Sequence, residues 1–257
     1  MFQSPTLPED LETIPMCYRY FHDPPELVTI MLGSNGRHIG YFRDRPNEEP
    51  ILVVESNPNE SGALRVLGTS IFAVTKSFLS ALASSEKILS SMDQFIEESK
   101  FILPQSDEII KQRKKRCVCS TLSEIGLVVP LKGDIGYRPL TMTYAKLIKV
   151  LQSAINAPNE DKQLSCLEPI DELITHSQFA CDEGDFGQAI ELGLSLLAFH
   201  PKGLPVDRAN CLNSRIKHLL SVGYELAGYP EFVSVIVQHM RDRRIDPPTL
   251  KHIISFS

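Results

Sequence analysis

Apolar positions along the chain change period near residue 70. Before it, short blocks rich in aromatic and β-branched residues stand between turn-formers. They are YRYFH (18–22), LVTIML (27–32), HIGYF (38–42), ILVVE (51–55) and ALRVL (63–67). Blocks of this length and make-up predict β-strands. The Asn-Gly pair inside GSNGR (33–37) predicts a tight hairpin between the second and third.

Past residue 70 the period becomes helical. In SIFAVTKSFLSALAS (70–84), Ile71, Val74, Phe78 and Leu82 share one face, and Ser70 stands as N-cap. A second helix is predicted at 86–99, with Ile88, Leu89, Met92, Phe95 and Ile96 turned inward. From Tyr144 the pattern stays helical nearly to the end. Leu147, Leu151, Ala154 and Ile155 mark one helix, Leu167, Ile170 and Ile174 the next, and Phe186, Ile190, Leu194 and Leu197 a third. Further helices are predicted near 209–227 and 231–241, and a last one from Asp246 with Pro247 at its first position. Between Pro104 and Pro139 neither period holds. That stretch contains KQRKKR (111–116), GLVVP (126–130) and KGDIGYRP (132–139), the last reading as an ordered loop. The predicted class is α+β. Residues 1–120 form an N-terminal β-sheet with packed helices, and residues 121–257 an all-α C-terminal domain carrying the loop and the acidic turn described below.

Composition narrows the function. Hydrophobic residues make up 42% of 257, enough for a sizeable core. A net charge of −6 and a pI near 5.7 argue against coating nucleic acid by charge alone. No apolar run approaches the roughly 20 residues that cross a bilayer, so no membrane role is expected. MFQSPTLPEDLET lacks the basic-then-apolar order of a secretory signal. The six cysteines are scattered, which fits thiols in a reducing compartment. Cys117 and Cys119 lack the spacing and the second pair of a zinc site, so no metal is expected.

The stretch FACDEGDFGQAIELG (179–193) concentrates the chemistry. It places Asp182, Glu183 and Asp185 around Gly184, where two helices are expected to meet, the first ending near Phe179 and the second beginning near Phe186. Asp185 reads as the N-cap of the second helix, with Gln188 completing a capping box. Asp182 and Glu183 have two readings. They are either solvated loop charges near a helix N-terminus, or a carboxylate on a rigid turn acting as general base. A calcium loop fails because Gly184, Phe186 and Gly193 stand where oxygen ligands are needed. Adjacent acids also suit a glycosidase pair poorly, and His176 with Asp182 and Glu183 matches no metal spacing. There is no phosphate-binding glycine loop, GxSxG, HExxH or Cys/His pair. If Glu183 does chemistry, the substrate pocket belongs to a partner. KQRKKR reads as a nuclear import signal, as a patch meeting DNA or another polyanion, or as a solvated loop face.

Several blocks together carry a family resemblance. They are RYFHDPPELVTIMLG (19–33), HIGYFRDRPNEEP (38–50), IFAVTKSFL (71–79), IKQRKKR (110–116), GLVVP (126–130), DIGYR (134–138) and QFACDEGDFGQAIELG (178–193). In these the chain resembles the histone PARylation factors, over most of residues 19–200. The resemblance implies a nuclear accessory factor of the DNA-damage-activated poly(ADP-ribose) polymerases, acting in DNA repair at chromatin. Such a factor docks on the NAD-containing catalytic domain, completes a joint active site and directs ADP-ribose to serine, notably on histones, with shorter chains. It implies Glu183 as the base that deprotonates the acceptor serine, and Asp182, Tyr137, Arg138 and Phe179 as partner-binding residues. NAD would be held by the polymerase and no cofactor by this chain, and the acidic polymer its basic run could contact would be poly(ADP-ribose). The alternative is a polymerase-binding or recruitment module that lends no base. Family members usually carry a longer N-terminal region, so this chain is shortened relative to them, and the zinc-finger module of some members has no counterpart here.

Overall fold

A computed structural model describes residues 16–80, 86–98 and 106–245. It is α+β. Four strands, β1 (Leu27–Leu32), β2 (His38–Phe42), β3 (Leu52–Ser56) and β4 (Arg65–Gly68), form an antiparallel meander in the order β1-β2-β3-β4. The β1–β2 hairpin is closed by Asn35 and Gly36, both at positive φ (56° and 79°), with the Arg37 N–H bonded to the Ser34 carbonyl at 3.1 Å. Asn-Gly adopts this conformation at little cost, which is why the pair fixes the turn.

Alternation along the strands splits the core in two. Leu27, Phe42, Leu52 and Val54 face one side with Leu64 and Ile125. Ile39 and Val53 face the other, covered by Val74 and partly by Ile71 and Phe78 of α1 (Ile71–Ser80). Helix α2 (Glu86–Glu98) lies outside α1, joined by a Phe72–Phe95 ring contact. No residue of α2 is buried, and Ile88 and Phe95 are more than half exposed, so the inward placement expected for them is corrected. Amphipathic periodicity reports an apolar face, not what covers it. Leu82 and the helix expected from Asp246 lie outside the described residues.

KQRKKR is not a loop. It ends α3 (Ser106–Arg116), and its third residue, Arg113, is buried. The Arg113 guanidinium donates to both Asp44 carboxylate oxygens and to the carbonyls of Ile125 and Gly126, and lies over the Phe42 ring. Lys111, Lys114, Lys115 and Arg116 remain exposed.

The helical layer comprises α4 (Tyr144–Ile155), α5 (Glu160–Asp182), α6 (Gly187–Ala198), a 3-10 turn (Val206–Leu212), α7 (Asn213–Ala227) and α8 (Pro230–His239). Every residue of α6 is buried, with α5 and α7 packed against it. Its Ile190, Leu192, Leu196 and Leu197 meet Leu147, Leu151, Ile170, Ile216 and Leu220 in one large cluster. Full burial of each such side chain contributes roughly 1.5–3 kcal/mol.

YRYFH is not a strand but a buried turn that plugs sheet to helices. Tyr18 takes positive φ, and the buried Arg19 donates to the carbonyls of Pro24 (2.6 Å) and Leu27 (2.9 Å). Phe21 is fully buried in the helical core under the Arg243 guanidinium, 3.8 Å from its ring centre. Arg243 donates to the carbonyls of Phe21 and Leu197, both at 2.6 Å, so a cation completes the C-terminal end of α6. His22 also contacts the Leu197 carbonyl, and burial, reinforced by Arg243, pulls its pKa down to about 3.

Candidate functional site

The acidic turn joins α5 to α6. The α5 helix continues through Phe179 to Asp182, and Glu183 is its C-cap. Gly184 follows at φ +94°. The Asp185 N–H reaches back to the Ala180 carbonyl at 2.7 Å, and the Gly184 N–H to the Cys181 carbonyl at 3.0 Å. These two bonds form a Schellman closure, whose left-handed position favours glycine. Glu183 therefore stands at a helix C-terminus, not near the N-terminus anticipated above. His176 lies within α5.

Asp185 is not an N-cap. The residue before α6 is Phe186, in helical conformation, and no side chain caps that end. The Asp185 carboxylate instead accepts the Gly136 N–H at 3.0 Å, and Gly136 returns its carbonyl to the Gly187 N–H at 2.8 Å. Gln188 forms no capping box either. Its amide donates to the carbonyls of Pro139 (2.9 Å) and Arg138 (3.3 Å). The competing acceptors and donors come from the Leu131–Pro139 loop, some fifty residues earlier in the chain. This loop is ordered, as its two glycines suggest, by a bridge between Lys132 and Ile135.

The loop delivers Arg138 to the acids. Its guanidinium bonds the Glu183 carboxylate and lies 3.1 Å from Asp185 Oδ2. Tyr137 is half-buried, and its hydroxyl donates inward to Glu191 at 2.9 Å. The structure thus brings Arg138 and Glu183 together and places Tyr137 beside them as an anchor. Asp182 is exposed at the end of α5, and Phe179, one turn earlier, is 60% exposed. Ile135, 55% exposed, adds a second apolar side chain, and its Cγ2 would lie 2.8 Å from a Cβ at Gly184. Sequence reasoning missed Ile135 and Glu191, and gave Gln188 a capping role in place of its bonds to the loop. Only the glycines framing the loop signalled that something packs there.

Chemically the site is an open carboxylate on a fixed turn, flanked by one guanidinium and exposed apolar groups. Sizeable grooves lie elsewhere. One, of about 350 Å³, is lined by Cys17, Leu27, Arg43 and Phe232; another, of about 580 Å³, by Arg37, Glu55 and Arg65. Among the described residues no cluster of three His, Cys, Asp or Glu is placed to hold a metal, and no helix is long and apolar enough to cross a membrane.

A family model described as Histone PARylation factor 1 matches residues 4–243. The chain is 33% identical over 247 residues to Histone PARylation factor 1 of Bos taurus, covering 89% of this chain and 68% of the relative. The Mus musculus protein of that name is 32% identical over 239 residues, covering 88% and 67%. That of Danio rerio is 30% identical over 242 residues, covering 89% and 67%. The chain belongs to the histone PARylation factor 1 family.

Proposed function

We propose that this chain binds the catalytic domain of a poly(ADP-ribose) polymerase and completes its active site, directing ADP-ribose to serine, including on histones, in the nuclear response to DNA damage. The observation that carries this reading is the exposed Glu183 carboxylate on a closed helix turn, beside Phe179 and Ile135 and apart from both grooves described above. A base so displayed suits a substrate held by another protein. The polymerase supplies NAD. Glu183 takes the proton of the acceptor serine hydroxyl as its oxygen bonds the ribose anomeric carbon and nicotinamide leaves. A well-placed base contributes about 10²–10⁴-fold. Arg138 docks on a partner carboxylate, with Asp182, Phe179 and the Tyr137 loop around it.

The Arg138–Glu183 pair favours a second reading, in which the acid only holds the docking arginine and the chain recruits the polymerase without lending a base. Reconstitution with an activated polymerase, NAD and a histone peptide, followed by mapping of modified residues, separates the two. For the joint active site, Glu183→Gln keeps co-precipitation with the polymerase and loses serine transfer by about 10²–10⁴-fold. Arg138→Ala loses both. Full serine transfer by Glu183→Gln would leave only recruitment, a serine share unmoved by the native chain would sink the joint active site, and failure of the native chain to co-precipitate with the polymerase would sink both readings.

A further inference from the structure

Glu191 is an acid in the most deeply buried helix of the molecule, in a layer its neighbours Ile190 and Leu192 fill with hydrocarbon. A buried carboxylate is costly unless its oxygens are hydrogen-bonded. Both are. Oε2 accepts from the Tyr137 hydroxyl at 2.9 Å and Oε1 from the Tyr144 hydroxyl at 2.6 Å. The Tyr144 oxygen in turn accepts the Thr121 N–H at 3.1 Å. Burial first, with the Cys119 thiol and Glu191 beside them, raises the pKa of both phenols, so they stay donors. Burial also pushes the Cys119 thiol up to about 11, which keeps it unreactive.

The neighbours of these bonds give them meaning. Asp185, Gly187, Gln188 and Glu191 form one run at the start of α6, and each holds the Gly136–Pro139 stretch. Asp185 and Gly187 hold Gly136, Gln188 holds the carbonyls of Arg138 and Pro139, and Glu191 holds Tyr137. Asp185 also meets the Arg138 guanidinium at its solvent side, 3.1 Å away, while Glu191 alone of the four fixes the neighbouring Tyr137 side chain from inside the core. We propose that Glu191 is a positioning residue: by fixing the Tyr137 ring it sets where the Arg138 guanidinium stands, both toward Glu183 and toward the carboxylate a partner presents. Its role in transfer rests on the accessory-factor reading above. It touches neither serine nor NAD and acts through Arg138.

The test is a double-mutant cycle with a partner-free arm. Glu191→Gln is nearly isosteric but must turn its amide N–H₂ toward one of the two phenols. It is expected to raise the concentration of chain giving half-maximal serine transfer by about ten-fold, the scale of one lost hydrogen bond, with little change at saturation. In an Arg138→Lys background, which weakens docking by removing the paired guanidinium donors but keeps the charge, it should add little. Multiplying effects, or native half-saturation in the single variant, overturn the proposal. The partner-free arm is amide hydrogen exchange on the full-length chain. Glu191→Gln should speed exchange at Gly136 and Gly187 while leaving Leu151 in the core unchanged, and unaltered exchange at Gly136 counts against it. Tyr137→Phe, which deletes one hydroxyl and keeps the ring, should do the same if Glu191→Gln folds poorly. If the native chain leaves serine transfer unmoved, the accessory-factor reading fails, and the exchange arm still judges the anchor.

Discussion

Two guanidinium–carboxylate sets, built from the same chemistry, sit at opposite extremes of solvation. Arg113 and Asp44 are each 4% exposed at the side chain, with further guanidinium N–H groups on fixed carbonyls. Arg138 and Glu183 are 48% and 60% exposed. The inner pair cannot lose a partner without leaving a charge out of water, so it is architecture. The outer pair is screened and opens at little cost, so its members can exchange each other for a binding partner. What marks the acidic turn as a candidate site is therefore not that it is charged, but that its charges are reversible.

Breaking the inner set should give the largest effect. Arg113→Ala leaves Asp44 only its 3.4 Å contact with the exposed Arg116 and is expected to cost about 3–5 kcal/mol in denaturant unfolding; a loss as small as that of a surface arginine would erase the contrast. Next comes a buried acid hydrogen-bonded to a neutral phenol. Glu26 accepts from the Tyr224 hydroxyl at 2.5 Å, and burial raises its carboxyl to about 7 from an ordinary 4.5. Below pH about 4.5 both folded and unfolded chains carry the proton; between there and 7 only the folded chain keeps it. Its contribution is thus present at low pH and lost as pH rises through 7, by about 3 kcal/mol. Glu26→Gln should flatten this part of the profile between pH 5 and 8, and parallel native and variant curves would refute it. The smallest effect belongs to the outer region. Gly184→Ala places a Cβ at φ +94°, against Ile135, for about 1–2 kcal/mol. Serine transfer should fall more steeply than the melting temperature does, since Glu183 is the preceding residue; a proportionate fall in both would mean that the turn only stabilises.

Much of the fold was legible. Asn35-Gly36 specified its hairpin because few residue pairs tolerate two successive positive φ angles. The spacing of Leu147, Leu151, Ala154 and Ile155 specified α4 because one face had to be buried. YRYFH misled because strand-like composition cannot reveal a buried arginine holding the following turn. KQRKKR misled because a run of like charges reads as solvated until Asp44, some seventy residues earlier, is known to meet it. Asp185 misled in the same way: a local capping rule lost to Gly136, whose N–H arrives from another part of the chain. The site residues themselves were named through family resemblance. Periodicity and spacing alone left Glu183 as one of two unexplained acids, because the meeting of Arg138 with Glu183 is a property of the folded loop.

Arg243 has a consequence for biosynthesis. Its guanidinium closes over Phe21 and bonds the Phe21 and Leu197 carbonyls, so one of the earliest core residues is sealed by one of the latest. Contacts across more than two hundred residues form slowly. On a ribosome, the Phe21 turn emerges long before Arg243 does. The nascent chain therefore carries that turn unsealed until residue 243 clears the exit tunnel.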